Sequence, residues 1–332
     1  MSPVRSTLQA TLCALALTPV TVAAETAQPG GSTFFAGIDV DNQDSRRLSL
    51  GLLVHSDAGT SFELVGVHSE TDSDTLDLSS NYGFGQLSRD FGRFGLAAGV
   101  RHMRDDDLSK TLGWLGSGFV DFTDSRVTVS LESRETDFDE VDFTATGEEL
   151  DLEGVTSATG TAACSVASLA YGLRLDVIRP EWNFYTAATT FNYGSHRCDT
   201  TITETTDGAG PGPVIPAPIS VRRPAVVENF VANAGGGFAG YSATLLPYDG
   251  ALLESSLMLG ASIALGERRS LGFELYRSSE EFASSETRTA LAYLEYRIAA
   301  RMALTFAAGA TESDEWDRSV FAGVRISASM GR

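Results

Sequence analysis

Three pairs of opposite charge stand two residues apart: Glu132 with Arg134, Arg174 with Asp176, and Glu295 with Arg297. On an extended chain positions i and i+2 share a face, so each pair presents both of its charges to one side. Asp39, Asp77, Arg101, Asp121, Glu274 and Arg325 fall on the matching face of their own segments. Such a face can do two kinds of chemistry. It can knit neighbouring strands together through cross-strand ion pairs, or it can line a water-filled passage and sort solutes by charge and size. Other chemistry finds little support. His55, His68, His102 and His196 are scattered without metal-ligand spacing, so no metal site is expected. His68-Ser69-Glu70 holds the residue types of an acyl hydrolase, but strand neighbours point to opposite faces and a triad is defined by geometry. Gly235-Gly236-Gly237 lacks the strand-to-helix setting of a phosphate loop. Neither a catalytic site nor a cofactor is expected.

The elements that must hold these charges are strands. A hairpin turning about Glu181 pairs residue i with residue 362 − i and sets Cys164 opposite Cys198. That register matches Leu169, Tyr171, Leu173, Leu175 and Val177 with Tyr193, Phe191, Thr189, Ala187 and Tyr185, an apolar face, and leaves small or polar residues on the other. Directly opposed Cα atoms lie within disulfide range, so Cys164 and Cys198 are expected to be bonded. The same period of two recurs along the chain. Leu48, Leu50, Leu52 and Val54 alternate with Arg47, Ser49 and Gly51; Leu76, Leu78, Tyr82 and Phe84 with Asp77, Ser79, Asn81 and Gly83; Leu271, Phe273 and Leu275 with Gly272, Glu274 and Tyr276. About fourteen strands result, between roughly twelve and sixteen.

Composition and the N-terminus set the surroundings. The formal charge is −20 and Lys110 is the only lysine, a balance that excludes a nucleic-acid partner, whose phosphates need a basic surface. Met1 to Arg5 is a short basic start, Leu8 to Leu17 is mostly apolar, and Val22-Ala23-Ala24 offers small residues for cleavage. Residues 1–24 are therefore expected to be a secretory signal peptide. Residues 25–332 would form one domain. No later stretch reaches the ~18 apolar residues of a membrane helix.

Connections alternate between tight turns, around Ala58, Gly92, Asp124, Pro180, Gly266 and Ala300, and acidic, often longer loops. The longest loops are expected at 138–163 and 199–250. Short turns at one rim, longer loops at the other and antiparallel strands of about ten residues resemble bacterial outer-membrane β-barrels of porin-like architecture. One departure is that the sequence closes on Ser329-Met330-Gly331-Arg332 rather than on an aromatic residue. The resemblance implies an all-β, antiparallel up-and-down transmembrane barrel in the outer membrane, in contact with its lipid and lipopolysaccharide. It implies passive diffusion of small hydrophilic solutes through a polar lumen. The alternatives are a non-conducting barrel with a structural or adhesive role and a membrane-embedded hydrolase. Trp182, Tyr185, Phe191 and Tyr193 would belong to interfacial aromatic girdles.

Overall fold

The computed structural model describes residues 31–42, 45–73, 76–105, 109–146, 155–207, 210–211, 218–219, 253–280, 286–313 and 318–330. The signal peptide expected at 1–24, most of the loop expected at 199–250 and the Gly235-Gly236-Gly237 run lie outside them. Fourteen long strands form the wall: β1 (Ser32–Asp41), β2 (Ser45–His55), β3 (Thr60–Ser73), β4 (Leu76–Asp90), β5 (Phe94–Asp105), β6 (Ser109–Asp121), β7 (Ser125–Thr146), β8 (Val155–Ile178), β9 (Trp182–Asp207), β12 (Leu253–Ala264), β13 (Arg269–Glu280), β14 (Glu286–Ala299), β15 (Met302–Ser313) and β16 (Ser319–Met330). Two-residue pieces β10 (Gly210–Pro211) and β11 (Pro218–Ile219) pair with β9. Each long strand is antiparallel to its neighbours, and β16 pairs with β1, so the sheet closes on itself.

Closure follows from where the apolar side chains go. Ile38, Leu50, Leu64, Leu96, Trp114, Val129, Leu173, Phe273 and Phe306 all lie on the outer face and are 46 to 64% exposed. The alternate positions are the buried ones, and many are polar: Asp39, Ser49, Arg101, Glu132, Glu274 and Thr305 are 1 to 7% exposed. A soluble sheet would bury the first set. A wall greasy outside and polar inside is the arrangement that hydrocarbon requires, since a closed barrel leaves no backbone group unpaired in lipid. Above the apolar band of β13 and β14 the outer face turns charged: Arg277 bonds Glu286 at 2.6 Å, and Arg288 bonds the same carboxylate. Those two hydrogen bonds hold the Glu286 carboxyl down at about 2, so this patch keeps its charges at any physiological pH.

Tight turns close the rim between β2 and β3, β4 and β5, β6 and β7, β8 and β9, β12 and β13, and β14 and β15. Gly92 and Gly266, each at φ 96°, take left-handed conformations there that other residues rarely adopt. The opposite rim is uneven. β7, β8 and β9 run 22, 24 and 26 residues against 10 in β1. Part of what the sequence suggests as loop at 138–163 and 199–250 is therefore strand, reaching Thr146, starting again at Val155 and continuing to Asp207.

The β8–β9 hairpin departs from the expected register. Cys164 faces Cys198 and Val166 faces His196 as expected, but Ser168 faces Tyr193. One extra residue sits on β9 near Gly194, a β-bulge, and every later pair sums to 361. Leu169 therefore faces Asn192 and Tyr171 faces Thr190. The slip turns Tyr185 and Phe191 into the barrel, where each is 6% exposed, and leaves Trp182 outside at 45%. Tyr193 is inward too, its hydroxyl donating to Leu253 O at 2.7 Å, so none of Tyr185, Phe191 and Tyr193 belongs to a lipid girdle. β4 is also reversed relative to expectation: Tyr82 and Phe84 are buried inside, at 6% and 3%, and pack with Val65, Met103, Phe138 and Val166. The side chain of Asp77, on the same strand, lies outside those described.

Because the backbone register brings Cys164 and Cys198 together, a disulfide is the expected state of exported protein. Intact mass before and after reduction and alkylation should differ by the two modified thiols; free thiols in unreduced protein would count against it.

Candidate functional site

The inward wall carries a continuous polar rung across six strands. Register partners run from Asp121 to Arg126, Asp176, Tyr185, Gly260 and Glu274. Arg126 pairs with Asp121 at 2.6 Å, Arg174 with Asp176 at 2.6 Å, and the Arg174 guanidinium lies 4.8 Å over the Tyr185 ring. The Tyr185 hydroxyl donates to Glu274 Oε1. Charge and hydrogen bond alternate along the whole rung, so ionised groups taken out of bulk water keep partners.

A second cluster forms on β5 to β7. Glu132 accepts from Arg134 through both carboxylate oxygens, at 2.7 and 3.2 Å, and its Oε1 lies 2.8 Å from Arg101. Arg101 reaches it across β6, where the intervening residue is Gly113. A Cβ at 113 would stand 2.7 Å from Glu132 Oε1 and 2.8 Å from Arg101 Cγ. Arg134 also stacks 4.6 Å over Phe191. A third cluster sits at the seam where β16 meets β1. Asp39 is register partner to Arg47, and Arg325 lies close enough to both Asp39 and Glu274 to act on their charge.

Five inward aromatic rings lie against the wall, each over the glycine directly opposite on the next strand. Tyr185 covers Gly260 and Tyr293 covers Gly272; a Cβ at either glycine would fall 2.2 and 2.1 Å from the ring's Cζ. Phe35 over Gly51, Phe119 over Gly95 and Phe321 over Gly309 repeat the device. Such pairs add stacking without narrowing the interior.

Eleven of the expected lining residues are thus located on the inward wall: Asp39, Arg101, Asp121, Glu132, Arg134, Arg174, Asp176, Glu274, Glu295, Arg297 and Arg325, with Asp121, Arg174, Glu295 and Arg297 half-buried and the others buried. Arg47, Arg126 and Tyr293 belong with them, and so does Tyr185, which the sequence pattern assigns to an aromatic girdle. Arg126 was within reach, standing two residues before Thr128 on the face that carries Glu132 and Arg134. Tyr185 was concealed by the bulge.

Solvent access differs along the barrel. Inward residues at the loop end are shut from water: Thr311 and Ser319 are 0% exposed, Asp105 and Thr287 1%. Toward the tight turns Thr33, His55, Ser88, Ser270 and Ser327 are half-exposed, and the interior widens into a cavity of about 580 Å³ bordered by Asn183, Tyr293 and Arg297. The other chemistry considered has no geometry. His68 bonds Asn81 at 2.9 Å and Glu70 at 3.1 Å on the outer face, while Ser69 points inward to Ser80 at 2.8 Å. Among the described residues no three His, Cys, Asp or Glu side chains stand together as a metal site.

The closed antiparallel wall and its reversed polarity define the chain as a fourteen-stranded outer-membrane β-barrel of porin-like architecture. No protein-family model matches the sequence, and no curated protein matches it. Among solved structures it is similar to a loop-deletion mutant of OmpT, an outer membrane protein of Vibrio cholerae, at 9% identity over 90% of this chain and 98% of that one, with a TM-score of 0.42. It is similar to KdgM porin at 7% identity over 88% and 97%, TM-score 0.39, and to OpdK from Pseudomonas aeruginosa at 8% over 90% and 98%, TM-score 0.36.

Proposed function

We propose that this barrel is an outer-membrane channel through which small hydrophilic solutes diffuse passively, sorted by the charges on its inward wall. The observation that carries the reading is the rung from Asp121 to Glu274, which sets the charges of Asp121, Arg126, Arg174 and Asp176 side by side on the inward wall. Facing acidic and basic groups set up a transverse field that a small ion or dipole must cross, which is how charged rings select in pores. The loops of the outer rim are acidic, which favours cations at the outer mouth within about a Debye length, ~8 Å at physiological salt.

A second reading is supported by the burial of Asp105, Thr287, Thr311 and Ser319: a barrel whose outer half is filled and which serves the envelope or its surface without conducting. Planar-bilayer recording separates the two. Purified protein is expected to give discrete current steps, and Asp176→Asn or Arg174→Gln is expected to change their cation-to-anion preference. Protein that inserts, as judged by its resistance to external protease, yet gives no step above background leaves the second reading.

A further inference from the structure

The cavity at the tight-turn end is large enough to hold a small molecule. Its 580 Å³ fall within the range of small-molecule sites. At its floor the Asn183 side chain is 8% exposed, and its Oδ1, an acceptor, has no hydrogen-bond partner. A buried acceptor in that state calls for a donor. At its rim Arg268, from the turn between β12 and β13, and Arg301, from the turn between β14 and β15, form no ion pair with a described residue. Arg179, on the same rim, is already held by Asp124 at 2.9 Å. Five guanidinium groups and three carboxylates, Glu181, Glu267 and Glu295, line the space. A chain with 44 acidic and 24 basic residues thus concentrates positive charge here.

We propose that this cavity binds a phosphomonoester of a sugar or polyol, with the phosphoryl group between Arg268 and Arg301 and a hydroxyl donating to Asn183 Oδ1. Two guanidinium groups on separate turns match a dianion that offers oxygens on several sides; a single carboxylate would satisfy one of them. The hydroxyl supplies the donor that Asn183 lacks, which inorganic anions bound at the rim do not bring to the floor. Short turns mark the periplasmic side of such barrels, so the site faces the solute's exit. Its part in transport rests on the channel reading; binding itself does not.

Binding at the cavity releases or takes up heat whichever side chain is met, so calorimetry reads it directly. Isothermal titration calorimetry of the full-length detergent-solubilised protein is to be run with glucose 6-phosphate, glucose, inorganic phosphate and glucuronate. Glucose 6-phosphate is expected to bind at least ten-fold tighter than each of the other three. Arg268→Ala with Arg301→Ala should bring it down to the level of glucose, and Arg301→Glu should weaken it further. Asn183→Leu should weaken glucose 6-phosphate about ten-fold and leave inorganic phosphate unchanged. Equal affinity for glucose and its phosphate, a double variant that binds as before, or tighter binding of glucuronate would each overturn the assignment. Current steps without this binding would sink the site and spare the channel; binding without current would do the reverse.

Discussion

Glu132→Ala is expected to destabilise the barrel by about 3–5 kcal/mol, the usual cost of removing one member of a buried ion pair. The side chains of Glu132, Arg101 and Arg134 are 7%, 8% and 3% exposed, so the two guanidinium groups left behind would have little water to turn to. Arg134 would keep its contact with Phe191, but Arg101 has been drawn across Gly113 toward a carboxylate that is no longer there. Glu132→Gln, which keeps the shape and one acceptor, should cost less than the alanine. Denaturant unfolding in detergent, followed by loss of β-sheet circular dichroism, gives the difference. A shift of the alanine variant below about 1 kcal/mol would mean that water reaches the cluster freely, and that this part of the lumen is wider than the burial implies.

The second large effect belongs to the outer face. Phe273, at the middle of β13 and 51% exposed, stands between Leu271 and Leu275 on the apolar band. Phe273→Arg should cost about 2–4 kcal/mol when folding is measured in lipid vesicles, the range for a cation at mid-bilayer on a barrel's lipid side. The same substitution at Ser279, level with Glu286 and above the band, should cost far less. The contrast between the two positions is the measurement. Equal tolerance at both would remove β13 from the hydrocarbon, and with it the orientation of the wall.

How much of this could be read beforehand depends on which force wrote each position. Charge pairs two apart, as at Glu132 and Arg134, identify an inward face almost unaided, because a wall against lipid tolerates no such pair. The strand count and the division into tight and long connections were legible for a similar reason: each period-two run is bounded by turn residues. Aromatic residues were not legible. Tyr82, Phe84, Tyr185 and Phe191 suit a lipid face and an interior equally, and the interior takes them because a glycine opposite seats Tyr185, an apolar cluster around Val65 seats Tyr82 and Phe84, and Ala170 and Leu253 seat Phe191. Alternation alone cannot detect a single inserted residue, and Gly194 was the only local sign of the bulge, since glycine inside a strand often marks one. The half-closed interior was hidden for a different reason, being a property of how far side chains reach across a curved wall.

The unequal height of the wall has a consequence for whatever approaches the cell. At ~3.3 Å per residue, β9 measures roughly 85 Å along its path and β1 roughly 33 Å. Only about ten residues of each are needed to cross the oily layer. What remains of β7, β8 and β9 makes a blade rising from one side of the mouth, and the site for its proposed sulfur cross-link lies within it rather than in the membrane. An antibody or a phage fibre would therefore meet this blade before it met the rest of the rim.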